Sequence, residues 1–275
     1  MSVKKEASGR RSVRVEVEVP GTPEEVWQAI ATGPGISSWF VPTEFEEQGG
    51  KPVAVKLNFG PGMESMSKIT RWDPPRMFAA QGEGWGGSPP MATQWSVETR
   101  AGGVCLVRVV HSLFASTDDW DNQLEGTEHG WPSYFRILQL YLTHFRGQPC
   151  TSVQVMASSS ESESKAWDAL TAGLGVQGVA VGQRWTAPAG VPVASGIVEP
   201  LGSGQHPNNI LLRLDQPTTG IGSFCAYACQ GMVMALANIY LYGDKAKEAV
   251  VRDEPLWRKW MGGMFPLPTK PGKSE

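Results

Sequence analysis

From Val13 the chain alternates strictly. Val13, Val15, Val17 and Val19 are interleaved with Arg14, Glu16 and Glu18, the period of a half-buried strand. Pro20-Gly21 ends it. Thr22, Pro23 and Glu25 form a capping-box pattern that opens a short helix to about Ala31, with Val26, Trp27 and Ile30 on its buried side. Gly33-Pro34-Gly35 breaks that helix, and Ile36–Phe40 reads as one further turn. The chain then becomes a meander, with strands expected near 42–48, 52–59, 65–72, 76–82, 91–99 and 103–112. Gly- and Pro-rich turns separate them. On the last strand Cys105, Val107, Val109 and His111 share one face, opposite Arg108, so His111 points inward if Arg108 points out. A helix follows from Thr127, as N-cap, to Arg146. On it Trp131, Tyr134, Phe135, Leu138, Tyr141, Leu142 and Phe145 recur at three- and four-residue steps and form one broad apolar face. Glu128 reads as a first-turn charge of that helix.

The pattern then repeats. A strand near 152–157 leads to a helix with Ala166, Trp167, Leu170 and Leu174 on one side. Strands follow near 179–187, 192–199, 208–215, 221–229 and 232–241, and then a helix from about Asp244 with a break expected at Pro255. Val26-Trp27-Gln28-Ala29 is echoed by Ala166-Trp167-Asp168-Ala169, and Trp131 by Trp257. We read an internal duplication with divergent copies at 11–147 and 151–265, joined at Gly147–Cys150, with flexible tails at 1–10 and 266–275.

Composition changes this picture little. The 275 residues suit two domains, 41% are hydrophobic, and the net charge of -3 with no basic stripe argues against nucleic acid as a partner. The uncharged run Ile221–Gly243 is long enough to cross a membrane, but Ser223, Gln230, Gly231 and Asn238 interrupt it. Two antiparallel strands are the better account, and no membrane span is expected. The four cysteines have no zinc-type spacing. With no secretory leader pattern ahead of the first strand, reduced thiols in the cytoplasm are the expectation.

Local motifs narrow the fold. Thr22-Pro-Glu-Glu-Val-Trp27, Trp39-Phe40, the strand Gly103–Phe114 ending in His and an aromatic, and His129-Gly-Trp131 occur in that order. Together they resemble the START-like (SRPBCC) superfamily, and within it the branch named after the activator of the 90-kDa heat-shock chaperone's ATPase. The resemblance covers about 11–146 and extends to the second half by topology. It implies an α+β helix-grip fold, in which a curved antiparallel sheet wraps a long C-terminal helix around a cavity, in two tandem copies. It also implies binding of lipids, polyketides or other hydrophobic small molecules. Some members are cyclases, aromatases or hydrolases, and the branch name raises a chaperone or other protein as a partner.

The aromatic set is the main candidate for a site. Trp39, Phe40, Trp72, Trp85, Trp95, Phe114, Trp131, Tyr134 and Tyr141 are read as lining the cavity, with His111 as a polar contact within it and Trp85, in the loop Gly82–Gly87, as a lid. The alternative is that these rings simply fill a core. His111, His129, His144 and His206 lack metal-ligand spacing, so neither a metal nor a cofactor is expected. Cys225 and Cys229 would stand about 13 Å apart on a strand, too far for a disulfide. No convergent catalytic set emerges. The expectation is a non-catalytic binding protein, with a cyclase or hydrolase using the same cavity, or a chaperone-regulating module, as alternatives.

Overall fold

The structure, a computed structural model, describes residues 3–60, 62–83, 89–115, 117–202, 207–229 and 231–266. Two compact units result, the first running to Gly147 and the second starting at Gln148. Trp85, expected as a lid, lies outside the described residues, as do His206 and most of the C-terminal tail.

In the first unit β1 (Lys4–Lys5) and β2 (Arg10–Pro20) precede α1 (Pro23–Ile30) and α2 (Gly33–Ser37). The meander is β3 (Thr43–Gln48), β4 (Lys51–Asn58), β5 (Glu64–Asp73), β6 (Met77–Gly82), β7 (Met91–Arg100) and β8 (Val104–Phe114). It is closed by α3 (Asp121–Leu140) and a π-helical turn at Tyr141–Phe145. The eight strands are antiparallel in the order β1-β2-β8-β7-β6-β5-β4-β3. The capping box is present: the Thr22 hydroxyl accepts the Glu25 N–H at 3.3 Å, and the Thr22 N–H donates to Glu25 Oε2 at 2.8 Å. Alternation puts Val13, Val15, Val19, Cys105, Val107 and Val109 in the core, as the sequence period requires.

Two expectations need correction here. Within residues 1–10, read as a tail, Lys4–Lys5 fold back as β1 against Ser12 and Arg11, and Val3 is buried. And α3 begins at Asp121, not at Thr127, whose hydroxyl donates to the Gln123 carbonyl inside the helix at 2.9 Å. The physical cause lies on β2. Arg11 bonds Asp118 and Asp121, each at 2.6 Å, and Lys5 bonds Asp121 at 2.8 Å and Asp118 at 3.1 Å. Two cations thus fix the carboxylates that open the helix, and Leu124 packs one turn later with Val13 and Leu113.

The second unit comprises β9 (Cys150–Ser159), α4 (Glu163–Leu174), β10 (Arg184–Thr186), β11 (Ser195–Glu199), β12 (Asn209–Gln216), β13 (Gly220–Cys229), β14 (Met232–Tyr242) and α5 (Ala246–Met264). Its sheet order is β10-β11-β12-β13-β14-β9, which is the order β4-β5-β6-β7-β8-β2 of the first unit without β1 and β3. Both units are therefore helix grips, in tandem. One tie recurs: the buried indole of Trp39 donates to the Ala29 carbonyl at 2.9 Å, and that of Trp185 to the Leu174 carbonyl at 2.8 Å. Each locks the end of the unit's first helix. The uncharged run at 221–243 is the hairpin β13–β14, and no described helix is long and apolar enough to cross a membrane. The break expected at Pro255 is not there. The proline sits on the exposed side of a continuous α5, where water can take the carbonyl it leaves unbonded.

Candidate ligand-binding site

Strand register lays out the inner face of the first sheet in rows. One row runs Trp72–Phe78–Trp95–Val109–Val15, and the next runs Ile69–Ala80–Thr93–His111–Val13. Beyond them lie Val55–Ser67–Gly82–Met91 and Leu57–Ser65. The aromatic residues cover the first row, whereas the outer rows carry Ser65, Ser67, Ala80 and Gly82. Ser65, Ser67 and Ile69 are only half-buried although they alternate with exposed neighbours on the opposite face, and Leu57 is half-buried as well. The sheet is thus filled at one end and shallow at the other.

Over this floor stands α3. Trp131 is the hub, with ring centroids 5.0 Å from Trp95, 5.1 Å from Phe40 and 5.3 Å from Phe135. Trp39 lies beneath, fully buried, against Phe40 and Trp95. Phe40, Tyr134 and Phe59 are half-buried and form a rim, with Phe40 edge-on to Tyr134 at 4.5 Å and to Phe59 at 5.8 Å.

His111 is the polar group at the centre. The Trp131 indole N–H donates to its Nε2 at 2.7 Å, which makes Nε2 an acceptor and leaves the proton on Nδ1, 2.9 Å from the Thr93 hydroxyl. Burial pushes its pKa down from 6.5 to about 4. The ring is therefore neutral near pH 7 with both nitrogens occupied, and it ties β7, β8 and α3 together.

Of the residues picked from the sequence, Trp39, Phe40, Trp95, His111, Trp131 and Tyr134 come together. Trp72 does not join them. It belongs to a neighbouring group with Trp27 at 5.1 Å, Phe78 at 5.7 Å and Phe45 at 6.0 Å, beside a surface groove of about 690 Å³ between α1, α2 and β3. Tyr141 is buried farther along, in the π-helical turn. Phe114 is placed differently: it is 64% exposed, because its position on β8 has the opposite parity to His111 and turns it off the inner face.

Sequence reading passed over three features. Ser65 and Ser67 were legible as inward positions of β5 but had no chemistry to draw attention. Phe59 directly follows β4, in phase with Val55 and Leu57. Glu128, read as a first-turn charge, is buried in mid-helix on the inward stripe.

A curved antiparallel sheet gripping a long helix is the helix-grip fold. Residues 10–134 match the family model described as polyketide cyclase / dehydrase and lipid transport. No curated protein sequence matches the chain. Among solved structures, the di-domain ARO/CYC BexL from the BE-7585A biosynthetic pathway is similar at 14% identity over 94% of this chain and 100% of that one, with a TM-score of 0.44. CalU16 from Micromonospora echinospora is 19% identical over 52% of this chain and 83% of its own, TM-score 0.41. The Aha1 dimer from Colwellia psychrerythraea is 22% identical over 50% of this chain and 98% of its own, TM-score 0.38.

Proposed function

We propose that the first unit binds an apolar, ring-bearing small molecule between the shallow end of its sheet and α3. The observation that carries this reading is the half-buried rim of Phe40, Phe59 and Tyr134 over a floor of Ser65, Ser67, Ala80 and Gly82. Rings that only filled a core would meet large partners on the facing strands. The matching family is described by polyketide and lipid chemistry, and molecules of either kind suit an opening with aromatic walls.

The described inner face of the second unit is filled. Its inner rows Val155–Ala237–Phe224 and Val153–Ile239–Gly222–Leu212–Val198 are buried against α5, where Trp257 lies 5.7 Å from Phe224. Binding rather than proton transfer is favoured because His111, the one imidazole on the inner face among the described residues, has no free lone pair.

Tryptophan fluorescence of the full chain, titrated with 2-naphthol, tests the proposal, since Trp95 and Trp131 flank the opening. We expect saturable quenching, weakened about tenfold in the double variant Phe40→Ala/Tyr134→Ala through loss of two aromatic contacts. Absence of saturable binding, together with purified protein carrying no small molecule in native mass spectrometry, would overturn it.

A further inference from the structure

Glu128 is the one acidic side chain on the inward stripe of α3. It follows Leu124 by four residues and precedes Trp131 by three, so the three share a face. Leu124 packs with Val13 and Leu113, with Met91 alongside, and Trp131 is bonded to His111. The Glu128 carboxyl is therefore held between those two levels of the sheet. The row Met91–Gly82–Ser67 at the Leu124 end carries small side chains, and the space over Gly82 is taken by Ser67, whose Oγ an added Cβ would meet at 2.4 Å.

The side chain is 5% exposed, and its Oε2 is fully buried with no hydrogen-bond partner among the described residues. The basic groups at this end of the helix, Lys5 and Arg11, are engaged by Asp118 and Asp121. Pro132, one turn on, has no N–H to give the Glu128 main-chain carbonyl, so two acceptors of one residue lack their usual donors. A buried acceptor without a donor is costly, and a folded chain keeps one where something else supplies the proton.

We infer that Glu128 is the polar anchor of the cavity, and that its free oxygen accepts a hydrogen bond from a phenolic or enolic hydroxyl on the bound molecule. The inference rests on the reading that this cavity takes a ring-bearing ligand, and it names the class: a molecule apolar over most of its surface with a hydroxyl on the edge facing α3. The rim rings hold the apolar body, and Glu128 discriminates. A hydroxyl–carboxylate bond is among the stronger hydrogen bonds, whereas a ligand without the hydroxyl leaves Oε2 dry.

The test uses the full chain with 2-naphthol and 2-methylnaphthalene, which match in shape and differ in the donor. Wild type should prefer 2-naphthol by about tenfold or more. Glu128→Leu should lose most of that preference through weaker binding of 2-naphthol alone, and Glu128→Gln, which keeps an acceptor oxygen, should retain part of it. Without ligand, Glu128→Leu should melt at a higher temperature, because an unpaired carboxyl has been removed, and this confirms that the variant folds. If Glu128→Leu keeps the wild-type preference, or wild type binds both probes equally, the role of Glu128 is overturned and the cavity reading stands. If wild type binds neither probe, the cavity reading falls, and the inference falls with it.

Discussion

His111 makes the stability of the first unit depend on pH in a way that can be calculated. Its neutral ring sits in the core, accepting from Trp131 and donating to Thr93, and burial pushes its pKa to about 4 against an ordinary 6.5. In the unfolded chain the ring takes up a proton as pH falls below 6.5, while in the folded unit it does not until about 4. Between those values the unfolded state binds more protons, so stability is complete above 6.5 and drains away as pH falls toward 4. Integrated over the two values, the loss is about 2 kcal/mol between pH 7 and pH 5 and about 3 kcal/mol by pH 4. The comparison is with His111→Gln, which has an amide oxygen for Trp131 and an amide N–H for Thr93 but does not titrate. Carboxylates elsewhere affect both proteins alike, so the difference between them isolates the imidazole. Hydrogen exchange of peptides from β8 is the suitable assay, because it reports opening of this unit separately from the second. The gap between wild type and variant should narrow by about 2 kcal/mol from pH 7 to pH 5. A gap constant across that range would mean the histidine titrates normally in the folded chain. The buried Trp131–His111–Thr93 arrangement would then be wrong.

The helix-end ties can be tested in each unit alone. Trp39→Phe and Trp185→Phe each leave a buried carbonyl without its indole donor and a gap beside it. Each should cost about 2–3 kcal/mol, seen as faster exchange only in its own unit. Gly35→Ala should be worse. A Cβ there would lie 1.9 Å from the Gln28 carbonyl oxygen, so α1 and α2 must part, and we expect a loss of about 3 kcal/mol or more in chemical denaturation. Asp118 and Asp121 are held below the ordinary aspartate value of 3.8, first by hydrogen bonds from Lys5. Their contribution is present above that value and disappears as pH falls through and below it, so β1 should fray in acid, read as exchange of residues 3–10.

The sequence carried the strands well because alternation and glycine turns are local signals. Every strand expected in the meander appears near its expected place. What it could not place was the start of α3. That boundary is set by Arg11 reaching Asp121 across 110 residues of sequence, and no local cap marks it, since Trp120 stands at the N-cap without a side-chain bond. The misplaced start had a consequence. With the helix opened at Thr127, Glu128 is a solvent-side charge in the first turn. With the helix opened at Asp121, the same residue falls between Leu124 and Trp131 and is buried. Phe114 was a different kind of error, since its parity against His111 was already in the sequence. Trp72 lay beyond local reading, because the register shift between Ile69 and Arg71 pairs it with Phe78 and aligns it with the groove.

The two units differ in what stands over the sheet: in the first the rings of Phe40, Phe59 and Tyr134 stay half-buried, and in the second the described inner rows are packed. They share the strand order and the indole tie to the first helix, so the scaffold is common to both. The second lacks counterparts of α2 and β3, and these elements bracket Phe40, carry Phe45 and lead the chain into β4, which ends before Phe59. Of the rim rings of the first unit, Phe40 comes from the segment that distinguishes it. Without that segment α5 can close directly on the sheet, Trp257 reaches Phe224, and the inner face becomes a packed hydrophobic core. A hydrophobic core stabilises a unit best when nothing in it is half-exposed. The first unit keeps Phe40, Phe59 and Tyr134 partly in solvent and Glu128 Oε2 buried without a donor, and both are costs that a ligand with an apolar body and a hydroxyl edge would relieve together.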